Sequence, residues 1–339
     1  MKKHSFINTA ALLFLSSAMV MSLVSSCEGP EGIAGVDANE TCKQCHNGES
    51  VLIAKISQAG NSMHQTGITS FENGTSCAPC HTHQGFMEAL ARDTFGTVAA
   101  ISNPSAVNCR TCHAVHENYD STDFAVRIDG PVNLRIIAGT LDLGKSNICA
   151  SCHQPRSVSG YPVLGGGDFN VTSSRLPGHY GAQATILAGI AAYEVPGSAS
   201  YPTAANAHMS QTDGCITCHM AEPIGSLAGG HTMKMADEEE GENLASCEAC
   251  HSTIEDFDYN GVQTEVEGLL VQLADALVAD GILSATGSVK ASSSAPLSLS
   301  SDKYGALLNY AMVKNDRSNG VHNPGYVKAL LVNSIEVFN

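Results

Sequence analysis

Residues 109–116 read Cys109-Arg110-Thr111-Cys112-His113-Ala114-Val115-His116. Two thiols three positions apart stand on one side of a single helical turn, with an imidazole directly after them. Outward from this stretch the same grammar recurs. Upstream are Cys42-Lys-Gln-Cys45-His46 and Cys77-Ala-Pro-Cys80-His81; downstream are Cys149-Ala-Ser-Cys152-His153, Cys215-Ile-Thr-Cys218-His219 and Cys247-Glu-Ala-Cys250-His251. The six copies use twelve of the 13 cysteines in a chain of 339 residues and leave only Cys27 over. Their spacing varies, so this is not a solenoid of fixed period.

A lone Cys-x-x-Cys could be a redox dithiol or half of a zinc site, and twelve cysteines could form disulfides. Neither chemistry needs a His after every second Cys. Covalent haem attachment does, because the two thiols reach the two vinyl groups of one porphyrin and the adjoining imidazole lies beneath the iron. On this reading the chain carries six covalently attached haems c, with His46, His81, His113, His153, His219 and His251 as proximal ligands. Over residues 42–251 the chain resembles a hexahaem member of the multihaem c-type cytochromes. That resemblance implies a mainly α and irregular fold with porphyrins forming the core and little or no β-sheet. It also implies haem attachment outside the cytoplasmic membrane.

Six irons in a pure electron carrier need six further ligands. Outside the motifs and residues 1–26 the histidines are His64, His83, His116, His179, His208, His231 and His322. His83 follows His81 by two residues, on the same side of that porphyrin, and is the spare. His116 follows His113 by three, which on a helical turn directs it along the same face; the resemblance implies that it serves an adjacent haem. His64 and His208 stand shortly before haem motifs. His179 opens a segment leading to a short apolar helix near Ile186, and the glycines before His231 allow the backbone to approach a flat ring closely. The Gly-Val-His322-Asn-Pro segment resembles the ligand segment before a late helix in multihaem cytochromes. Met63, Met209, Met233 and Met235 are rival ligands, read here as padding of porphyrin edges. No Cys-x-x-Cys-Lys occurs, so the distinctive active-site haem of the pentahaem nitrite reductases is missing.

The start of the chain reads as an export signal. Lys2 and Lys3 precede a short apolar run that ends in Leu23-Val24-Ser25-Ser26-Cys27, which resembles a bacterial lipobox with acylation at Cys27. Plain cleavage near Ser26, leaving Cys27 as an odd thiol, is the alternative. The organisation expected is a lipoprotein signal peptide over residues 1–26, a flexible tether over 27–39, a haem-binding region over 40–260 and a C-terminal helical segment over 261–339. Lys plus Arg number 17 against 33 Asp plus Glu, a formal charge of −16, which excludes a basic nucleic-acid binder. Losing residues 1–26 removes two lysines and no acid, leaving −18. The acidic run over residues 237–242 reads as a solvated loop.

Beyond His251 the apolar residues recur at helical spacing over about residues 262–280. A Ser-rich stretch over 284–301 reads as a linker or long loop, a second helix follows over 303–314, and Asn323 with Pro324 starts a third. These helices are expected to pack on the haem array, with His322 between them. The long gap between His153 and Cys215 is expected to wrap porphyrins rather than to form a sheet.

The function expected is electron transfer by a lipid-anchored cytochrome on the periplasmic or outer face of the outer membrane. Its partners would be other cytochromes or a porin-linked conduit, with self-association into filaments as a lesser option. The alternative is an oxidoreductase acting on a small nitrogen or sulfur compound at one open haem.

Overall fold

The computed structural model describes residues 42–43, 46, 50–156, 160–175, 181–211 and 213–339. The signal peptide, the tether, Cys27, Cys45 and His179 lie outside the described residues. The chain divides into two compact units, residues 1–47 with 119–121, and residues 48–118 with 122–339. In the first unit Cys42 and Lys43 are helical, and the His46 N–H donates to the Cys42 carbonyl at 2.8 Å.

The second unit begins with helix α1 (Ser50–Gly60) and the single turn α2 (Met63–Thr66), capped by Ser62. The attachment motifs then form one-turn helices: α3 (Ala78–His81), α5 (Cys109–Cys112), α6 (Asn147–Ala150) and α8 (Cys215–His219). Between them run α4 (His83–Ala91) and α7 (Gln183–Ala188). Sheet is confined to two-stranded antiparallel ladders among the described residues: β1 (Val132–Asn133) with β2 (Thr140–Leu141), β3 (Phe169–Val171) with β6 (Leu297–Leu299), and β4 (Ala236–Asp237) with β5 (Gly241–Glu242). The fold is thus mainly helical and irregular.

Three longer helices close the chain, α9 (Val262–Ala279), α10 (Ser301–Asp316) and α11 (Pro324–Glu336). Val266, Leu273 and Leu277 lie on one stripe of α9, fully buried, each contributing about 1.5–3 kcal/mol by burial. Asp258 closes the start of α9, accepting from the backbone N–H groups of Gln263 (2.7 Å) and Thr264 (3.1 Å). Asn323 caps α11 through the Tyr326 N–H, with Pro324 in the first turn.

One expectation needs correction here. The segment between His153 and Cys215 does pair as sheet: β3 meets β6, whose residues lie in the Ser-rich stretch read as a linker or long loop. Alternating burial explains it, since Val171 and Leu299 both reach the core. That core contains one large cluster of side chains. Ile186, Tyr193 and Val195 join Leu273, Leu307, Leu308, Leu330 and Leu331 in one cluster. No described helix is long and apolar enough to cross a membrane.

Candidate haem centres

Each attachment motif is built the same way locally. The N–H of the motif His donates to the carbonyl of the first Cys, at 3.2 Å for His81, 2.9 Å for His113 and His153, and 2.8 Å for His251. One closed turn therefore sets both thiols on one side and the imidazole at its end. Asn108 stabilises the third turn with a capping box, its side chain accepting from Arg110 N and its N–H donating to Thr111 Oγ1. The described cysteines are all unbridged.

Four motif imidazoles face a second imidazole from a distant part of the chain. Ring centroids are 6.0 Å apart for His153 and His64, and 6.2 Å apart for His113 and His231, His251 and His208, and His219 and His322. A metal–imidazole bond is about 2 Å and the bonded nitrogen lies about 1 Å from the ring centre, so two imidazoles on opposite sides of one ion have centroids about 6 Å apart. The separation is the one two imidazoles would have if they held one metal ion between them, and it also lies within the range of edge-to-face ring contact. Among the described residues no three His, Cys, Asp or Glu gather around a bare metal site.

The second shell prepares these rings. His322 Nδ1 donates to Asp316 Oδ1 at 2.6 Å, and Asp316 is buried. His208 Nδ1 donates to the Val321 carbonyl at 2.6 Å, His219 Nδ1 to the Met233 carbonyl at 3.1 Å, and His153 Nδ1 to Gln183 Oε1 at 3.4 Å. Fixing the proton on Nδ1 leaves the other ring nitrogen free to bind metal. Burial pushes the pKa of His64 down to about 4, with His153 adding to the effect, and burial likewise lowers His153 and His219. These rings stay neutral, the form that ligates. His322 differs: burial lowers its pKa, but the Asp316 carboxylate outweighs that and raises it.

The remaining candidates fall as follows. His83 Nδ1 lies 3.0 Å from Thr111 Oγ1, so this ring braces the third motif. His116 is not on a helical turn, as its spacing suggested. The chain leaves the helix at His113, which is extended and bridges to Val126, and His116 adopts a left-handed φ of 65°. The buried Asp123 carboxylate captures the N–H groups of His116 and Asn118 and holds that bend. Gly229 and Gly230 have positive φ, yet what they admit is side chain: a Cβ would meet Asn243 Nδ2 at 2.3 Å and Gln58 Oε1 at 2.4 Å. Gln58, on α1, accepts from the His231 N–H. Met209 lies partly buried in an apolar cluster with Leu141 and Leu143, as padding requires, whereas Met63 is exposed.

Asp316, Gln58 and Asn206 were missed by the sequence reading. Asn206 Oδ1 accepts from His208 N, and its amide reaches the His322 carbonyl. A signal existed, because Ser62 captures His64 N in the same two-residue turn.

The motif turns also meet one another. Cys152 Sγ lies 3.9 Å from the Pro79 carbonyl of the second motif, and the Ile216 N–H of the fifth motif donates at 3.0 Å to Ser146 Oγ, three residues before Cys149. Cys112 lies within electrostatic reach of Cys149, and Cys218 within reach of Cys247.

Motif turns, opposed imidazoles and a helical, irregular frame match the pattern of multihaem c-type cytochromes. No family model matches the chain. Among curated proteins it is similar to the C-type polyheme cytochrome OmcB of Geobacter sulfurreducens, 26% identical over 165 residues, which cover 45% of this chain and 22% of that protein. Among solved structures it is similar to the outer cell wall cytochrome OcwA, with a TM-score of 0.50 and 20% identity over 84% of this chain and 50% of that one. The chain thus spans about a fifth of the first relative and half of the second, and the likeness to OcwA is one of fold.

Proposed function

We propose that this chain is an exported electron-transfer cytochrome with six covalent haems c, relaying single electrons in extracellular respiration. Cys42, Cys45, Cys77, Cys80, Cys109, Cys112, Cys149, Cys152, Cys215, Cys218, Cys247 and Cys250 attach the porphyrins. His46, His81, His113, His153, His219 and His251 are the proximal ligands. His64, His116, His179, His208, His231 and His322 are the distal ligands, and His83 is the spare. Four irons are assigned as pairs: His153 with His64, His113 with His231, His251 with His208, and His219 with His322.

The observation that carries this reading is the 6 Å separation of those imidazoles. A bound haem would supply one-electron chemistry; the chain's part is to fix two ring nitrogens per iron, so that oxidation and reduction need little rearrangement. Adjacent motif turns support a route from the sixth motif through the fifth and fourth to the second, with the third joining at the fourth. We further propose acylation at Cys27, an outer-membrane location on the periplasmic or outer face, and other cytochromes or a porin-linked conduit as partners. Self-association into filaments is the less favoured assembly, because a lipid anchor opposes it.

EPR of the air-oxidised protein tests the ligation. The ring planes are nearly perpendicular for His64 and His153 (89°) and for His208 and His251 (77°), but tilted by only 33° for His113 and His231. Low-spin ferric signals of both the strongly anisotropic and the ordinary rhombic type are expected, with no high-spin component. A high-spin haem that binds carbon monoxide stoichiometrically on reduction, with saturable turnover of nitrite or hydroxylamine, would replace this reading with that of an oxidoreductase.

A further inference from the structure

The second and fourth motif turns meet where Cys152 Sγ lies 3.9 Å from the Pro79 carbonyl, and two arginines converge there. Arg156 donates to Cys77 Sγ at 3.7 Å. Arg135 donates through Nη2 to the Ser151 carbonyl at 3.3 Å, beside Cys152, and its guanidinium lies 4.6 Å from the centre of the Phe95 ring. Its backbone N–H is held by Gln154 Oε1 at 2.9 Å. Both side chains line a cavity of about 380 Å³ together with Phe95 and Thr97. Arg135 Nε is buried with no hydrogen-bond partner, and neither arginine forms an ion pair with a described residue. In a chain of net charge −16, two held cations with no acidic partner among the described residues stand at one motif junction, where they would act electrostatically on an attached group.

We propose that Arg135 and Arg156 set the redox poise of the junction between the second and fourth motifs, raising the reduction potential of the haem or haems attached there. The proposal rests on the haem assignment above. When one electron passes from a neighbouring ferrous haem, the acceptor goes from ferric to ferrous and loses one unit of positive charge, while the donor gains one. A fixed cation nearby repels the ferric form more than the ferrous form, so it favours the electron's residence at the junction. The partly buried position weakens screening by solvent and salt. The result is an electron-attracting point at the second-motif end of the route proposed above.

The test is spectroelectrochemical titration of the full-length, haem-loaded protein, with haem per chain counted independently by pyridine haemochrome. The double variant R135Q/R156Q is expected to keep six haems and its low-spin spectrum. One or two of the six redox components should move down by about a tenfold change in oxidised-to-reduced ratio, 59 mV for one electron. R135K/R156K, which keeps both charges, should leave those components near their original place, as should R92Q at the exposed Arg92–Glu88 pair. Superimposable titrations of wild type and R135Q/R156Q would overturn the proposal, as would an equal displacement in R135K/R156K, which would mark a packing role. A haem count below six in the wild type would instead strike at the attachment reading itself.

Discussion

At the scale of single residues, the Cys-x-x-Cys-His turns were legible because a closed turn fixes their spacing locally; the residues that hold the opposed imidazoles were not. Asp316 sits six residues before His322 and carries no motif, yet its buried carboxylate holds the Nδ1 proton and makes the imidazole a stronger donor to iron. Replacing Asp316 by Asn keeps the shape and removes the charge. The haem ligated by His322 should then rise in potential by about 59 mV, a tenfold change in its oxidised-to-reduced ratio, with haem content unchanged; redox titration reads this directly. The pair of His322→Ala and His83→Ala tests ligation itself. His322→Ala should convert one low-spin haem to a carbon monoxide-binding form. His83→Ala should leave the spectrum intact, because the ring's work is its hydrogen bond to Thr111. A larger spectral change from His83→Ala would reverse the assignment of the spare.

At the scale of elements, α9 and α11 were legible from periodicity and capping residues, because an amphipathic stripe needs no distant information. How these helices engage residues 182–199 was not, since it depends on polar groups paired across the chain. Asn309 on α10 is fully buried; its side chain accepts from the Tyr193 N–H, donates to the Tyr193 carbonyl and reaches Ser334 Oγ on α11. Asn309→Leu would strand both backbone groups of Tyr193 in the core, at a cost of about 2–4 kcal/mol. Gly305, one turn earlier, faces the same residue: a Cβ there would lie 1.9 Å from Tyr193 Cδ1. Gly305→Ala forces the ring or the helix aside, for about 1–3 kcal/mol. Chemical denaturation followed by far-ultraviolet circular dichroism should show both losses. The low-spin haem spectrum should persist to the onset of unfolding if the α10 core and the motif turns unfold as one unit, and beyond it if they do not.

At the scale of the molecule, imidazole number was legible but imidazole pairing was not. His64 meets His153 across the second and third motifs, and His113 meets His231 across the fourth and fifth, so proximity in sequence says nothing about which ring faces which. The order of the motif turns is equally non-local, and it makes the fourth a hub. Cys152 lies against the Pro79 carbonyl of the second motif, Ile216 of the fifth is bonded to Ser146 beside the fourth, and Cys112 lies within electrostatic reach of Cys149, whereas the sixth motif is within such reach of the fifth through Cys218 and Cys247. A hub and an end respond differently to loss. Cys149→Ala/Cys152→Ala removes the haem at the hub; it should perturb the EPR signals and potentials of three neighbours and sever the second motif from the fifth. Cys247→Ala/Cys250→Ala should perturb only the fifth. In protein films of equal coverage, the current passed to a soluble ferric chelate should therefore fall far more for the hub variant than for the end variant. Equal losses, or a larger loss for the end variant, would mean that electrons cross the protein by a route that bypasses the fourth motif, and the order drawn from the motif contacts would fall with it.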